Sequence, residues 1–155
     1  MKKIDYSRVE SVDFCYPNME LSETFYNKFN GLIKSRECYD NVARIFNSNR
    51  SILIDYPGIC IVYGGVQIIT CDDDLGSNLF VKHCFFKFKD KIIDPTLYKN
   101  KSLRAETKYF SVTEYSFDEY LDMLFEYGET SPVSIVKQLN KASLDLFSHK
   151  IAYAG

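Results

Sequence analysis

Apolar residues recur along this chain with two different periods, and the change of period divides it into three stretches. In "NMELSETFYNKFNGL" the residues Phe25, Tyr26 and Phe29 gather at helical spacing, with Ser22 as candidate N-cap and Gly31 as stop, which predicts a helix over about 22–30. A second helix is predicted over about 36–46, with Ser35 as its cap. Cys38, Val42 and Ile45 fall at i, i+4 and i+7 of that helix and share one face, so Cys38 lies in its first turn.

From Ser51 the period shortens to two. The runs "SILIDY", "GICIVYGGVQIIT", "LFVKHCFFKFK" and "KIIDPTL" are rich in β-branched and aromatic residues and are separated by turn signals, which predicts an antiparallel sheet. Alternation in the third run places Phe80, Cys84, Phe86 and Phe88 on one face and Val81, His83, Phe85, Lys87 and Lys89 on the other. "FKDKII" reads as a tight hairpin with Asp90 and Lys91 at the turn, which returns Ile92, Ile93 and Asp94 beside the strand that holds His83.

A further strand is predicted in "KYFSVTEY". Ser116 with Glu119 forms a capping box for a helix through Tyr127, ended by Gly128. "SPVSIVKQLNKASLDLF" predicts a last helix, with Val133, Ile135, Val136, Leu139, Leu144 and Leu146 as its apolar positions. The order of elements is that of an α+β fold: N-terminal helices packed on an antiparallel β-sheet, with C-terminal helices. A length of 155 residues suits a single domain, 1–155.

Composition narrows the function. Twelve Tyr and twelve Phe give an aromatic-rich core. Nineteen basic residues against twenty-one acidic ones give a net charge of -2, with no positive field for a phosphate backbone, so nucleic acid is not an expected partner. "MKKIDYSRVE" has no apolar stretch behind its lysines, and no segment approaches the length of a membrane span, so a cytoplasmic chain without a membrane partner is expected.

The five cysteines, at 15, 38, 60, 71 and 84, are odd in number and contain no C-x-x-C pair, which suits reduced thiols. His83 and Cys84 point to opposite faces of one strand and so cannot share an ion with Cys71. The run Asp72, Asp73 and Asp74 lacks the spacing of a calcium loop, and "YGG" at 63–65 lacks that of a phosphate loop. No metal or cofactor is expected.

Three residues carry candidate chemistry. A thiol at a helix start, such as Cys38, stands where backbone N–H groups and the helix dipole stabilise an anion. An imidazole such as His83 can take the thiol proton and deliver it to a leaving group, and a carboxylate such as Asp94 can fix its tautomer. Each residue has a plain alternative: Cys38 as a packed thiol beside Val42 and Ile45, His83 as a strand histidine, Asp94 as a turn opener before Pro95. His149 reads as a partner for the end of the last helix.

The order "ECYDNVARIF", "VYGGV", "HCFFKFKDKIIDPT" resembles the transglutaminase-like branch of the papain-like cysteine hydrolase superfamily. The resemblance covers roughly residues 35–115 and implies a helix-borne nucleophile packed on an antiparallel sheet. By it Cys38 is the nucleophile, His83 the base and Asp94, in Asp94-Pro95-Thr96, the orienter. The chain departs from the pattern in having no tryptophan: Phe85 takes the aromatic place two residues after the histidine. Leu32 stands where papain-like proteases carry a glutamine oxyanion donor, so the Cys38 backbone N–H is the one donor assigned. Asn41 and Phe85 are candidate supporting residues.

The expected function is a cysteine-dependent hydrolase or acyl transferase, acting on an amide, ester or thioester of a protein, peptide or small acyl substrate. The alternative is a non-catalytic protein-binding or inhibitory module on the same scaffold. The oligomeric state is not legible in the sequence.

Overall fold

The computed structural model describes residues 14–48, 50–69, 78–139 and 141. Among them the order is α1 (Met19–Phe29), a 3-10 turn (Asn30–Leu32), α2 (Cys38–Ser48), α3 (Ile52–Asp55), β1 (Cys60–Ile69), β2 (Asn78–Phe88), β3 (Lys91–Ile93), α4 (Pro95–Lys99), β4 (Tyr109–Tyr115) and α5 (Phe117–Tyr127). A last helical run covers 133–139. The strands form one antiparallel sheet in the order β3-β2-β1-β4, so the fold is α+β.

Several boundaries differ from those the sequence predicts. Helix α1 starts three residues earlier, because the Asn18 side chain accepts from the Leu21 amide and caps it, while Ser22 is buried inside the helix. Helix α2 starts at Cys38 itself, because Ser35 and Arg36 form a turn, with Arg36 in the left-handed region at φ 64°. "SILIDY" forms the short helix α3 instead of a strand: Ile52 is buried, Ile54 is 81% exposed, and no strand among the described residues pairs with the run before Pro57-Gly58. The hairpin turn is Lys89-Asp90, with Lys91 already paired to Phe88. "KIIDPTL" ends as a strand at Ile93, and Asp94 caps α4 by accepting from the Leu97 amide. The capping box at Ser116 and the left-handed Gly128 bound α5 as expected. In the last helix Ile135 and Leu139 are buried and Val133 is exposed, while Leu144, Leu146 and His149 lie outside the described residues, as do Cys71 and Asp72, Asp73 and Asp74.

Both faces of the sheet are buried. Helices α1, α2 and α5 cover one face, where Ile61 and Tyr63 of β1, Cys84 and Phe86 of β2, and Ile93 of β3 pack with Phe25, Ile45, Phe46 and Tyr120. The opposite face carries a smaller cluster of Val62, Val66, Phe85, Ile92, Leu97, Leu103 and Tyr109. Gly64 and Gly65 let β4 come close: a Cβ at Gly64 would stand 2.0 Å from the Phe110 carbonyl oxygen, and one at Gly65 would meet the Phe110 ring at 2.2 Å. A bulge shifts the β1–β4 register between Tyr63 and Gly64, which turns Tyr109 onto the smaller face opposite Val66.

The sheet curls over that smaller face. Cys15 exchanges backbone hydrogen bonds of 2.9 Å with Tyr109 at the β4 edge, and three residues later the Asn18 amide donates to Ile92 at the β3 edge, at 2.7 Å. In a flat sheet those edges would be about 14 Å apart, three strand spacings. The 2.6 Å contact between the Tyr109 hydroxyl, from the β4 edge, and the Asp94 carboxylate, at the end of β3, shows that the two edges approach each other over this face.

Candidate active site

Asp94 follows β3 directly, and extending the β2–β3 register by one pair sets it opposite Phe85, on the face of β2 that carries His83. The two side chains meet on the diagonal: His83 Nε2 lies 2.7 Å from Asp94 Oδ2. Asp94 has no exposure and is held from three further sides. Tyr109 Oη donates to the same Oδ2 at 2.6 Å, the Leu97 amide donates to Oδ1 at 3.1 Å, and the Asp94 amide donates to Ser22 Oγ at 3.0 Å. Phe85 stacks at 22° and 6.0 Å against His83 and meets Tyr109 edge-on at 4.9 Å, so it packs the pair from below.

The third residue arrives around a strand edge. Pairing between β2 and β3 covers only Phe86, Lys87 and Phe88, so the rest of β2 has no strand on that side among the described residues. Helix α2 packs there. Cys38, its first residue, is buried in the cluster that holds Cys84, and its thiol is a hydrogen-bond partner of the His83 ring, which belongs to the other face of β2. Because Nε2 is engaged by Asp94, Nδ1 is the ring nitrogen left to exchange a proton with the thiol. The structure thus brings Cys38, His83 and Asp94 together.

The electrostatics follow from this enclosure. Burial favours the neutral imidazole, but the Asp94 carboxylate and Cys38, by charge and by hydrogen bonding, outweigh it and raise the His83 pKa from 6.5 to about 10. Burial, then the Cys38 charge, pushes the Cys84 thiol well above its usual range, and burial, then the Glu114 charge, pushes Cys60 up to about 11. Tyr109 is raised as well, by burial and by the Asp94 charge, and so stays a neutral donor.

Asn41 does not line the triad. Its amide is fully buried and clamps the loop before Cys38, accepting from the Lys34 amide at 2.8 Å and donating to the Lys34 carbonyl at 2.7 Å. It also donates to Thr96 Oγ1 at 3.0 Å and accepts from Arg44 at 2.9 Å. Lys99 donates to the Ile33 carbonyl and Ser35 to Asn100. Three contacts therefore lock the α4 segment that follows Asp94 to the loop that delivers Cys38. Ser22, Thr96 and Tyr109 are site residues that sequence reasoning missed. The Asp94-Pro95-Thr96 run contained the signal for Thr96. Nothing local marks Ser22 or Tyr109, which reach Asp94 from 72 and 15 residues away.

Among the described residues no group of three or more His, Cys, Asp or Glu side chains could hold a metal ion, and no helix is long and apolar enough to cross a membrane. No protein family, curated protein or solved structure matches the chain.

Proposed function

We propose that the protein is a cysteine-dependent hydrolase or acyl transferase working through a thioacyl intermediate on Cys38. The observation that carries this reading is the chain of contacts from the Cys38 thiol at the start of α2, through the His83 ring, to the buried Asp94 carboxylate 2.7 Å from Nε2. In the reaction the Cys38 thiolate attacks the carbonyl carbon of an amide, ester or thioester, with the Cys38 backbone N–H facing the developing oxyanion. His83 gives its Nδ1 proton to the departing amine, alcohol or thiol as the acyl–leaving group bond breaks. Water or an acceptor nucleophile then attacks the thioester and gives its proton to His83, and the C–S bond breaks to release the acyl product and restore the Cys38 thiolate. Asp94 keeps the Nε2 proton in place throughout.

The test is chemical and does not need the natural substrate. Iodoacetamide at neutral pH is expected to alkylate Cys38 at least about tenfold faster than Cys60 or Cys84, with the advantage lost in His83→Gln. On amide, ester and thioester panels, Cys38→Ala is expected to remove turnover by several orders of magnitude. A Cys38 no more reactive than its neighbours would overturn the reading and leave a binding module on this scaffold.

A further inference from the structure

The His83–Asp94 pair has a companion that a three-residue description omits. Asp94 Oδ2 is shared by two donors, His83 Nε2 at 2.7 Å and Tyr109 Oη at 2.6 Å. All three residues are at least nine-tenths buried. Among the described residues the titratable groups that face His83 are Cys38 from α2, Asp94 from the end of β3 and Tyr109 from β4, while β1 presents Gly64 at its register.

We propose that Tyr109 is a positioning residue that acts through Asp94, a fourth member of the site whose phenol fixes the carboxylate and moderates its hold on the His83 proton. The inference rests on the hydrolase reading for its catalytic meaning but on geometry for its existence. During turnover His83 alternates between imidazolium and neutral imidazole. When it is neutral, the buried Asp94 loses its cationic partner, and an anion without exposure needs donors that do not change with the cycle. The Leu97 amide is one, on Oδ1, and Tyr109 is the other, on the oxygen that faces His83. Without the phenol, Oδ2 would become more basic and pull the Nε2 proton toward itself, which would hold His83 as imidazolium when it should release its other proton.

The fold goes to some length to make this contact. Tyr109 belongs to the strand at the opposite edge from β3, and its phenol meets Asp94 only because the bulge at Tyr63/Gly64 turns it inward and the sheet curls to bring the two edges together. A tyrosine needed only to fill space would have no cause to aim its hydroxyl at the orienting carboxylate. Phenylalanine would fill the same volume.

The experiment is a nuclear magnetic resonance titration of the His83 ring nitrogens in the full chain, which has two histidines and is therefore readily assigned. Removing the donor makes the potential at His83 more negative, so Tyr109→Phe is expected to move the His83 midpoint upward by about half a pH unit or more. Site-specific 3-fluorotyrosine at 109 keeps the hydroxyl and strengthens it as a donor, so it is expected to move the midpoint downward. It also serves if Tyr109→Phe fails to fold. A midpoint that both replacements leave in place, or that Tyr109→Phe lowers, overturns the proposal, even if melting temperature falls. Iodoacetamide kinetics on the same samples separate the two ideas. A fast Cys38 with an unresponsive His83 sinks the Tyr109 assignment alone; an unreactive Cys38 with a responsive His83 sinks the hydrolase reading and leaves the Tyr109 assignment standing.

Discussion

The two faces of the sheet are built on different principles. The helix-covered face is filled by Phe25, Ile45, Phe46, Phe86 and other large side chains packed ring against ring, and its interactions are dispersive and replaceable. The opposite face has a thinner apolar cluster and encloses His83, Asp94 and Tyr109 within it. Buried polar groups must be partnered, so this face is fixed by directed hydrogen bonds that tolerate little displacement. Bulk stability and geometry of the site are thereby assigned to opposite sides of the same strand. Cys38 joins them, rooted in the helix-covered core and reaching His83 around the β2 edge.

The sharpest comparison uses the neighbours Phe85 and Phe86, which point to opposite faces of β2 and are both fully buried. Each change to Ala is expected to cost about 3–5 kcal/mol in chemical denaturation, the usual range for a buried aromatic. Only Phe85→Ala, which removes the ring stacked on His83, is expected also to slow Cys38 alkylation and shift its pH dependence. Equal effects of the two variants on Cys38 would break the division between faces.

The next effect is spread over pH. The folded His83 pKa is raised from 6.5 to about 10, so its contribution to stability is fully present below pH 6.5 and is lost as pH rises through about 10. Melting temperature is expected to fall across that window in the wild type and to fall less in His83→Gln, as scanning fluorimetry would record. An identical slope in both would mean that the imidazolium is not held by Asp94 and Cys38.

Much of this arrangement was legible before the fold was known, and the exceptions have physical causes. Period-two alternation placed His83 and Phe85 on one face because strand geometry leaves no other choice, and the Lys–Asp turn returned Asp94 to the same neighbourhood, one residue off in the turn itself. The capping box and Gly128 fixed α5 because both ends are set by local hydrogen bonds. "SILIDY" misled because three apolar residues in a run, Ile52 to Ile54, satisfy a strand and a single helical turn equally. Ser22 looked like a cap because its hydroxyl needed a partner, but the partner is the Asp94 amide, far along the chain. Tyr109 was invisible because its direction depends on a bulge and on sheet curl, neither of which is written in the alternation of β4.

A smaller effect tests the clamp between the two halves of the site. Asn41→Ala leaves the Lys34 amide and carbonyl without their partner and frees Thr96, which is expected to cost about 1–3 kcal/mol. Because the clamp ties the loop before Cys38 to the segment after Asp94, the same variant is expected to lower Cys38 alkylation severalfold, although Asn41 touches neither His83 nor Asp94. A stable variant with unchanged alkylation would show that the sheet alone aligns the triad.

The smallest expected effect is the control for all of these. Ser116 caps α5 by accepting from the Glu119 amide at 3.2 Å, while the Glu119 carboxylate accepts from the Ser116 amide at 3.0 Å, and both lie on the helix-covered side away from His83. The Glu119 pKa is lowered by those bonds to Ser116, so their stabilisation is present above the ordinary carboxylate range and is lost as pH falls. Ser116→Ala is expected to cost about 1 kcal/mol at neutral pH, the usual worth of an N-cap, and less in acid. Cys38 alkylation and the His83 midpoint should not move. If they do, a loosened α5 is felt across β1 and β2, and the two faces are one cooperative unit in which no variant can report on the site alone.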